Sequence, residues 1–178
     1  MRKWLVIHID SQDDTADLKY AYEEIDCDVL YNARASEIRK SLPNYDNVLI
    51  MGHGSNMGLF SEKWDGYAVD STMVAELRKK NVIGIWCYAS EFARRYRLNG
   101  FFTSMFISNK YEALGHGYPA ENPEIFEETK LFVNRVNELI RTDIPLSEYG
   151  DILQSKDDYN QGFVKFNYEA LEYFENDR

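Results

Sequence analysis

Apolar positions along the chain fall into short continuous runs, separated by stretches with helical spacing. "KWLVIHI" (3–9) is the first β-rich run and predicts a strand. In "TADLKYAYEEID" (15–26), Leu18, Tyr22 and Ile25 share one helical face and Thr15 stands as a cap. "CDVLYN" (27–32) reads as a second strand, and "ASEIRKSL" (35–42) as a short helix closed by Pro43. "NVLIM" (47–51) is a third strand that runs straight into Gly52-His53-Gly54-Ser55. "GLFSEKWDGYAVD" (58–70) sets Asp65-Gly66 between β-prone runs, a hairpin signal. "STMVAELRKK" (71–80) opens on a cap and closes on bases, as a helix does. A fourth strand, "VIGIWC" (82–87), precedes a helix, "ASEFARRYRL" (89–98), which Asn99-Gly100 stops. "FFTSMFIS" (101–108) is the fifth strand, central in the sheet or free to pair at an edge.

From Pro119 onward the pattern changes. "PEIFEETKLFVNRVNELIR" (123–141) predicts a long amphipathic helix, and further helical stretches are expected near 146–154 and 158–175. The chain therefore divides into an α/β core, 1–118, and a helical C-terminal extension, 119–178, packed on it. Strands that alternate with helices, each a near-continuous apolar run, predict a mostly parallel sheet with helices on both faces. This is a three-layer, flavodoxin-like arrangement, and in such sheets functional groups sit beyond the carboxyl ends of the strands.

Charge narrows the partners. The net charge is −10, and residues 119–178 carry 14 acids against 6 bases. An acidic chain repels phosphate backbones and anionic lipid surfaces, so neither nucleic acid nor membrane is an expected partner. The apolar run at the start covers only Trp4 to Ile7, too short for a secretory signal, and no run approaches the ~18 residues of a spanning helix. Two cysteines, Cys27 and Cys87, make no disulfide framework. A cytoplasmic protein with reduced thiols is expected.

Two strands end in reactive side chains, the third at His53 and the fourth at Cys87. They stand 34 positions apart, and the interval holds a hairpin and a helix, the content of a right-handed crossover that sets the two strands side by side. Adjacent strands lie ~4.8 Å apart, so an imidazole and a thiol just past their ends can meet. A nearby histidine accepts the thiol proton and makes a nucleophile. The helix that follows Cys87 turns its positive end toward it. Gly54 offers an unshielded N–H, a candidate oxyanion donor. No two of the three histidines, His8, His53 and His116, stand at metal-ligand spacing, so no metal site is expected. His8 reads as a hydrogen-bonded core residue, and Cys27 as packing between the acids Asp26 and Asp28.

The blocks "NVLIMGHGS" and "NVIGIWCYAS", with "NMGLFSEKWDGYAVDSTMVAEL" between them, resemble the clan CD cysteine peptidases. That group includes caspases, metacaspases, gingipains, clostripain, legumains, separases and CHAT domains. Its members share a strand ending in His-Gly, an inserted hairpin and helix, then a strand ending in Cys. The resemblance covers roughly 1–108. It implies a caspase-like fold and an endopeptidase acting on peptide or protein substrates without a cofactor. His53 would be the general base, Cys87 the nucleophile, and Gly54 part of the oxyanion hole. Many members have small residues around the cysteine; here Trp86 precedes it and either crowds the substrate pocket or forms its wall, and Tyr88 follows. The resemblance also places part of the specificity pocket at the carboxyl end of the first strand. That place holds Asp10, with Asp13 and Asp14 beyond, and no base. A shielded carboxylate pairs with arginine, which implies cutting after a basic residue. The competing reading is that Asp10 caps the loop or the segment 15–26.

Two rivals stand beside this reading. One is a catalytically inactive caspase-like binding or signalling module. The other is an unrelated flavodoxin-like domain with a small ligand at the strand ends. Against the latter, the chain has no GxGxxG or Walker A phosphate loop.

Overall fold

The computed structural model describes residues 3–10, 15–156, 158–160 and 162–175. Asp13 and Asp14 lie outside the described residues. The apolar runs become strands because each is buried on both sides: every residue of β1 (Trp4–Ile9) and of β3 (Asn47–Gly52) is buried. With β2 (Cys27–Tyr31), β7 (Asn81–Ile85), β8 (Asn99–Thr103) and β9 (Leu171–Phe174), they form a six-stranded sheet among the described residues. Its order is β2-β1-β3-β7-β8-β9, parallel throughout except for the antiparallel β8–β9 pair. Helices cover both faces, as expected.

One face carries α1 (Ala35–Ser41), α2 (Val74–Leu77) and α3 (Ala89–Tyr96), around Leu5, Ile7, Ile50, Val82, Phe92 and Phe102. The other buries Val6, Leu49, Met51, Ile83 and Phe101 under α5 (Asn122–Arg141), α6 (Tyr149–Gln154) and α7 (Gly162–Glu169). A smaller antiparallel sheet, β4 (Gly54–Ser55), β5 (Gly58–Phe60) and β6 (Tyr67–Val69), fills the crossover between β3 and β7.

Register is set at the amino ends of the strands by a ladder of side-chain amides. Asn99 Nδ2 donates to Asn81 Oδ1 at 3.0 Å, and Asn81 Nδ2 to Asn47 Oδ1 at 3.1 Å. Asn47 thus stands opposite Asn81, and the pairing runs in step to Met51 opposite Ile85. The 34-residue offset carries His53 and Cys87 out of the sheet at the same level.

Several expectations are corrected. Segment 15–26 is a 3-10 helix (Ala16–Ala21) followed by turns, and Thr15 makes no side-chain cap bond to it. Its hydroxyl instead donates to Asp10. The fifth strand ends at Thr103, earlier than expected, and lies inside the sheet between β7 and β9. A short helix, α4 (Lys110–Gly115), follows it, capped by the Asn109 side chain. Residues 158–175 are not one helix: α7 stops at Glu169, and Leu171–Phe174 form β9. The edge of β8 draws that segment into the ladder, with Phe174 packed on Phe102 and Glu172 paired to Arg94.

Candidate functional site

The strand order turns around between β1 and β3, since β1 leads to β2 on one side and β3 to β7 on the other. Such a switch point leaves a crevice beyond the carboxyl ends of the strands. A cleft of about 50 Å³ opens there. The 3-10 helix after β1 supplies Thr15, Asp17 and Leu18; the end of β3 supplies Gly52 and His53; the end of β7 supplies Ile85, Trp86 and Cys87. Phe106 and Ser108 follow β8, and α5 closes the far wall with Phe126, Thr129 and Phe132. A space of this size accepts the end of one side chain, well short of the few hundred Å³ of a cofactor pocket.

His53 and Cys87 thus line the same cleft. Side chains two apart in a strand share a face. Met51 and Ile85 pack toward α5, so His53 and Cys87 leave the sheet on that side. Gly52 lies at φ +143°, and a Cβ there would stand 2.3 Å from the Ile9 carbonyl oxygen. The glycine is required where β3 bends away beside β1. Gly54 has a different reason: a Cβ would lie 2.2 Å from Trp86 Cδ1 and 2.7 Å from the Gly58 carbonyl oxygen. It is not among the residues that line the cleft.

Trp86 is a buried wall. Its indole N–H donates to the Ser55 carbonyl at 3.1 Å, and its backbone N–H to Thr103 Oγ1 at 3.1 Å. Thr103 Oγ1 in turn lies 2.8 Å from the Trp86 carbonyl, which it reaches as a donor. This side-chain exchange anchors the chain immediately before Cys87. Immediately after it, Tyr88 adopts a left-handed conformation, φ 66°, and donates its N–H to the Ser104 carbonyl. A bulky residue there is strained and must be held by its surroundings. The turn swings the chain from β7 into α3 and leaves Cys87 at the bend.

Cys87 is partly buried, and its S–H reaches the Phe106 carbonyl at 3.7 Å. Burial pushes this thiol up to about 11, the Phe106 bond opposes that shift, and Glu112 adds to it. At neutral pH the resting group is a thiol; desolvation outweighs any help from the start of α3. Cys27 is also raised, by burial and then by Asp26 and Asp28, as its acidic neighbours suggest.

Asp10 is buried and committed to its own neighbourhood. Oδ1 accepts from the Thr15 hydroxyl at 2.8 Å and from the Thr15 N–H at 3.3 Å, and Oδ2 accepts from the Tyr31 hydroxyl at 2.7 Å. Burial pushes its carboxyl up, but the Tyr31 and Thr15 bonds and His8 outweigh that and hold it below the ordinary range. His8, fully buried, donates Nε2–H to the Thr15 carbonyl at 2.9 Å, and its Nδ1 accepts from Tyr22 at 3.1 Å. Burial lowers this imidazole, against opposing pulls from Thr15 and Asp10, so it stays neutral. Asp10 and His8 thus hold Thr15, and it is Thr15 and Asp17 that face the cleft.

Sequence reasoning missed Asp17 and the α5 wall. Phe126, Thr129 and Phe132 are spaced i, i+3, i+6, so one helical face was readable; its seat over the strand ends was not. Among the described residues, no helix is long and apolar enough to cross a membrane, and no group of three or more His, Cys, Asp or Glu could hold a metal ion. No protein-family model and no curated protein matches the chain. Fold and site together define a mixed α/β protein with a mostly parallel six-stranded sheet and a narrow cleft at its switch point.

Proposed function

We propose that the protein is a caspase-like cysteine endopeptidase in which His53 and Cys87 form the catalytic dyad. The observation that carries this is their shared cleft, reached from neighbouring parallel strands in a common register. On a bound peptide, His53 takes the Cys87 proton and the sulfur attacks the scissile carbonyl. His53 then returns the proton to the leaving amine as the C–N bond breaks. Water, deprotonated by His53, releases the acyl group and restores the thiol. Because the resting thiol is held protonated, this proton transfer belongs to the substrate-bound state.

The substrate carries a basic residue before the cut bond. Asp17 supplies negative charge in the cleft, Asp10 stands behind Thr15, and among the described residues no lysine or arginine lines it. Trp86 backs the pocket. The two free thiols suit a reducing cytoplasm.

The second reading is a catalytically silent module of the same fold, and the raised Cys87 thiol favours it. The deciding experiment is labelling by an arginyl chloromethyl ketone peptide, followed by peptide mapping. The peptidase reading expects one adduct, on Cys87, lost in His53→Ala. An unlabelled Cys87, or equal labelling in His53→Ala, overturns the dyad.

A further inference from the structure

The hairpin between β5 and β6 carries a tryptophan in a conformation that tryptophan rarely adopts. Trp64 lies at φ 57°, in the left-handed region. For a bulky side chain this conformation is unfavourable and persists only where the surroundings impose it. Here they do. Trp64 N–H donates to the Ser61 carbonyl at 3.0 Å, and Ser61 N–H to the Gly66 carbonyl at 3.0 Å. The Ser61 hydroxyl donates to Asp65 Oδ1 at 2.6 Å. The turn is tied shut around a strained indole.

That indole is not there to fill a core, because Trp64 is 46% exposed. Its ring lies on the imidazole of His53, with centroids 5.4 Å apart and planes tilted by 38°. Phe60 stacks behind it at 4.9 Å, and Tyr67 behind Phe60 at 5.4 Å. The Phe60 N–H also donates to the His53 carbonyl at 2.9 Å. One hairpin thus grips the His53 backbone and covers the His53 ring.

We propose that Trp64 is a positioning residue for His53: its indole face fixes the imidazole over the cleft and carries the positive charge the ring acquires on taking the Cys87 proton. A cation over a tryptophan face gains ~0.5–1 kcal/mol at an exposed site. Among the described residues, the titratable side chains that line the cleft with His53 are Asp17 and Cys87, and the hairpin carries Glu62, Lys63, Asp65 and Tyr67. The catalytic consequence rests on the dyad reading; the seat for the cation does not.

The test uses the full chain in two backgrounds. In Cys87→Ala, the His53 ring-proton NMR signal is titrated with Trp64 native, with Trp64→Phe, with Trp64→Leu, and with fluorinated tryptophans that keep the shape but weaken the π face. The expected result is a midpoint that falls stepwise with fluorination and furthest in Trp64→Leu. With Cys87 present, alkylation by the arginyl chloromethyl ketone peptide, which occupies the cleft as a substrate does, slows at neutral pH roughly 2- to 5-fold in Trp64→Leu, with Trp64→Phe between. A midpoint unmoved across the fluorinated series overturns the proposal, and that series needs no mutant to fold. If the midpoint moves but alkylation is the same in His53→Ala as in the native chain, the cation seat stands and the dyad reading fails.

Discussion

At the carboxyl edge of the sheet, β1 ends in Asp10, while the β3–β7 pair ends in His53 and Cys87. The Asp10 carboxylate receives three hydrogen bonds, two from Thr15 and one from Tyr31 on β2. The Cys87 S–H has one long contact, to Phe106, and both Cys87 and His53 look into a cleft. Equivalent places in a sheet thus acquire opposite characters. What separates them is whether neighbouring side chains and backbone satisfy the polar group or leave room in front of it. A charge satisfied locally stabilises the fold; a group left facing a crevice is available for chemistry.

The largest effect that bears on this contrast is expected at Cys87. Cys87→Ala removes all hydrolysis of an arginyl fluorogenic peptide, yet shifts stability by no more than ~1 kcal/mol in urea unfolding. A loss of several kcal/mol would put Cys87 in the same class as Asp10, a residue that belongs to the fold. The converse change is Asp10→Ala. It removes the carboxylate that accepts from the Thr15 N–H, the Thr15 hydroxyl and the Tyr31 hydroxyl, and a cost of ~2–3 kcal/mol is expected by chemical denaturation. Because the folded Asp10 carboxyl lies below its ordinary 3.8, its stabilisation is present above that pH and is lost as pH falls through the folded value. Asp10→Ala should therefore flatten the acid limb of a Tm-against-pH curve.

A smaller effect separates the two acids near the cleft. Asp17→Asn should reduce the preference for arginine over leucine, read as a ratio of kcat/KM, by roughly 5-fold, about 1 kcal/mol. Asp10→Asn should leave that ratio nearly unchanged, and the reverse outcome would return the specificity role to Asp10.

The smallest effect comes from the tail. Burial, and then Asp158, push Glu128 on α5 up to about 7, while Asp158 chelates Arg135 with both oxygens at 2.8 and 2.9 Å. A raised carboxyl favours the protonated fold. Its contribution is complete below pH 4.5, the ordinary value, and is lost as pH rises through 7. Glu128→Gln should remove a slope on the order of 1 kcal/mol between those limits, since solvent screens the pair. An identical pH profile in the variant would show that Glu128 does not titrate there.

Much of this geometry was legible in the chain. The core strands were, because they are buried on both faces and so read as continuous apolar runs. The 34-residue spacing and the hairpin-helix content of the crossover placed β3 beside β7. Legibility failed where distant contacts decide. Leu18, Tyr22 and Ile25 have helical spacing, yet Thr15 is held by His8 and Asp10, and the segment tightens into a 3-10 turn. "LEYF" at 171–174 has no strong β signature of its own and becomes a strand only against β8. Asp17 could not be told from Asp10 by sequence, since the difference lies in which carboxylate its neighbours consume. Trp64 had a partial signal: it precedes Asp65-Gly66, so the turn was visible, but the ring beneath it was not.

β9 also has a consequence in time. It pairs with β8 across about seventy residues of chain, and α5, which walls the cleft, lies between them. During synthesis the segment up to Thr103 emerges first and can form its parallel strands while the far edge of β8 is still open. For the seconds before residue 174 appears, that edge is a template for any extended segment nearby. Over the same interval the thiol of Cys87 has no roof. Reactivity and adhesiveness are therefore both greatest in the nascent chain, and one late strand and one late helix end them together.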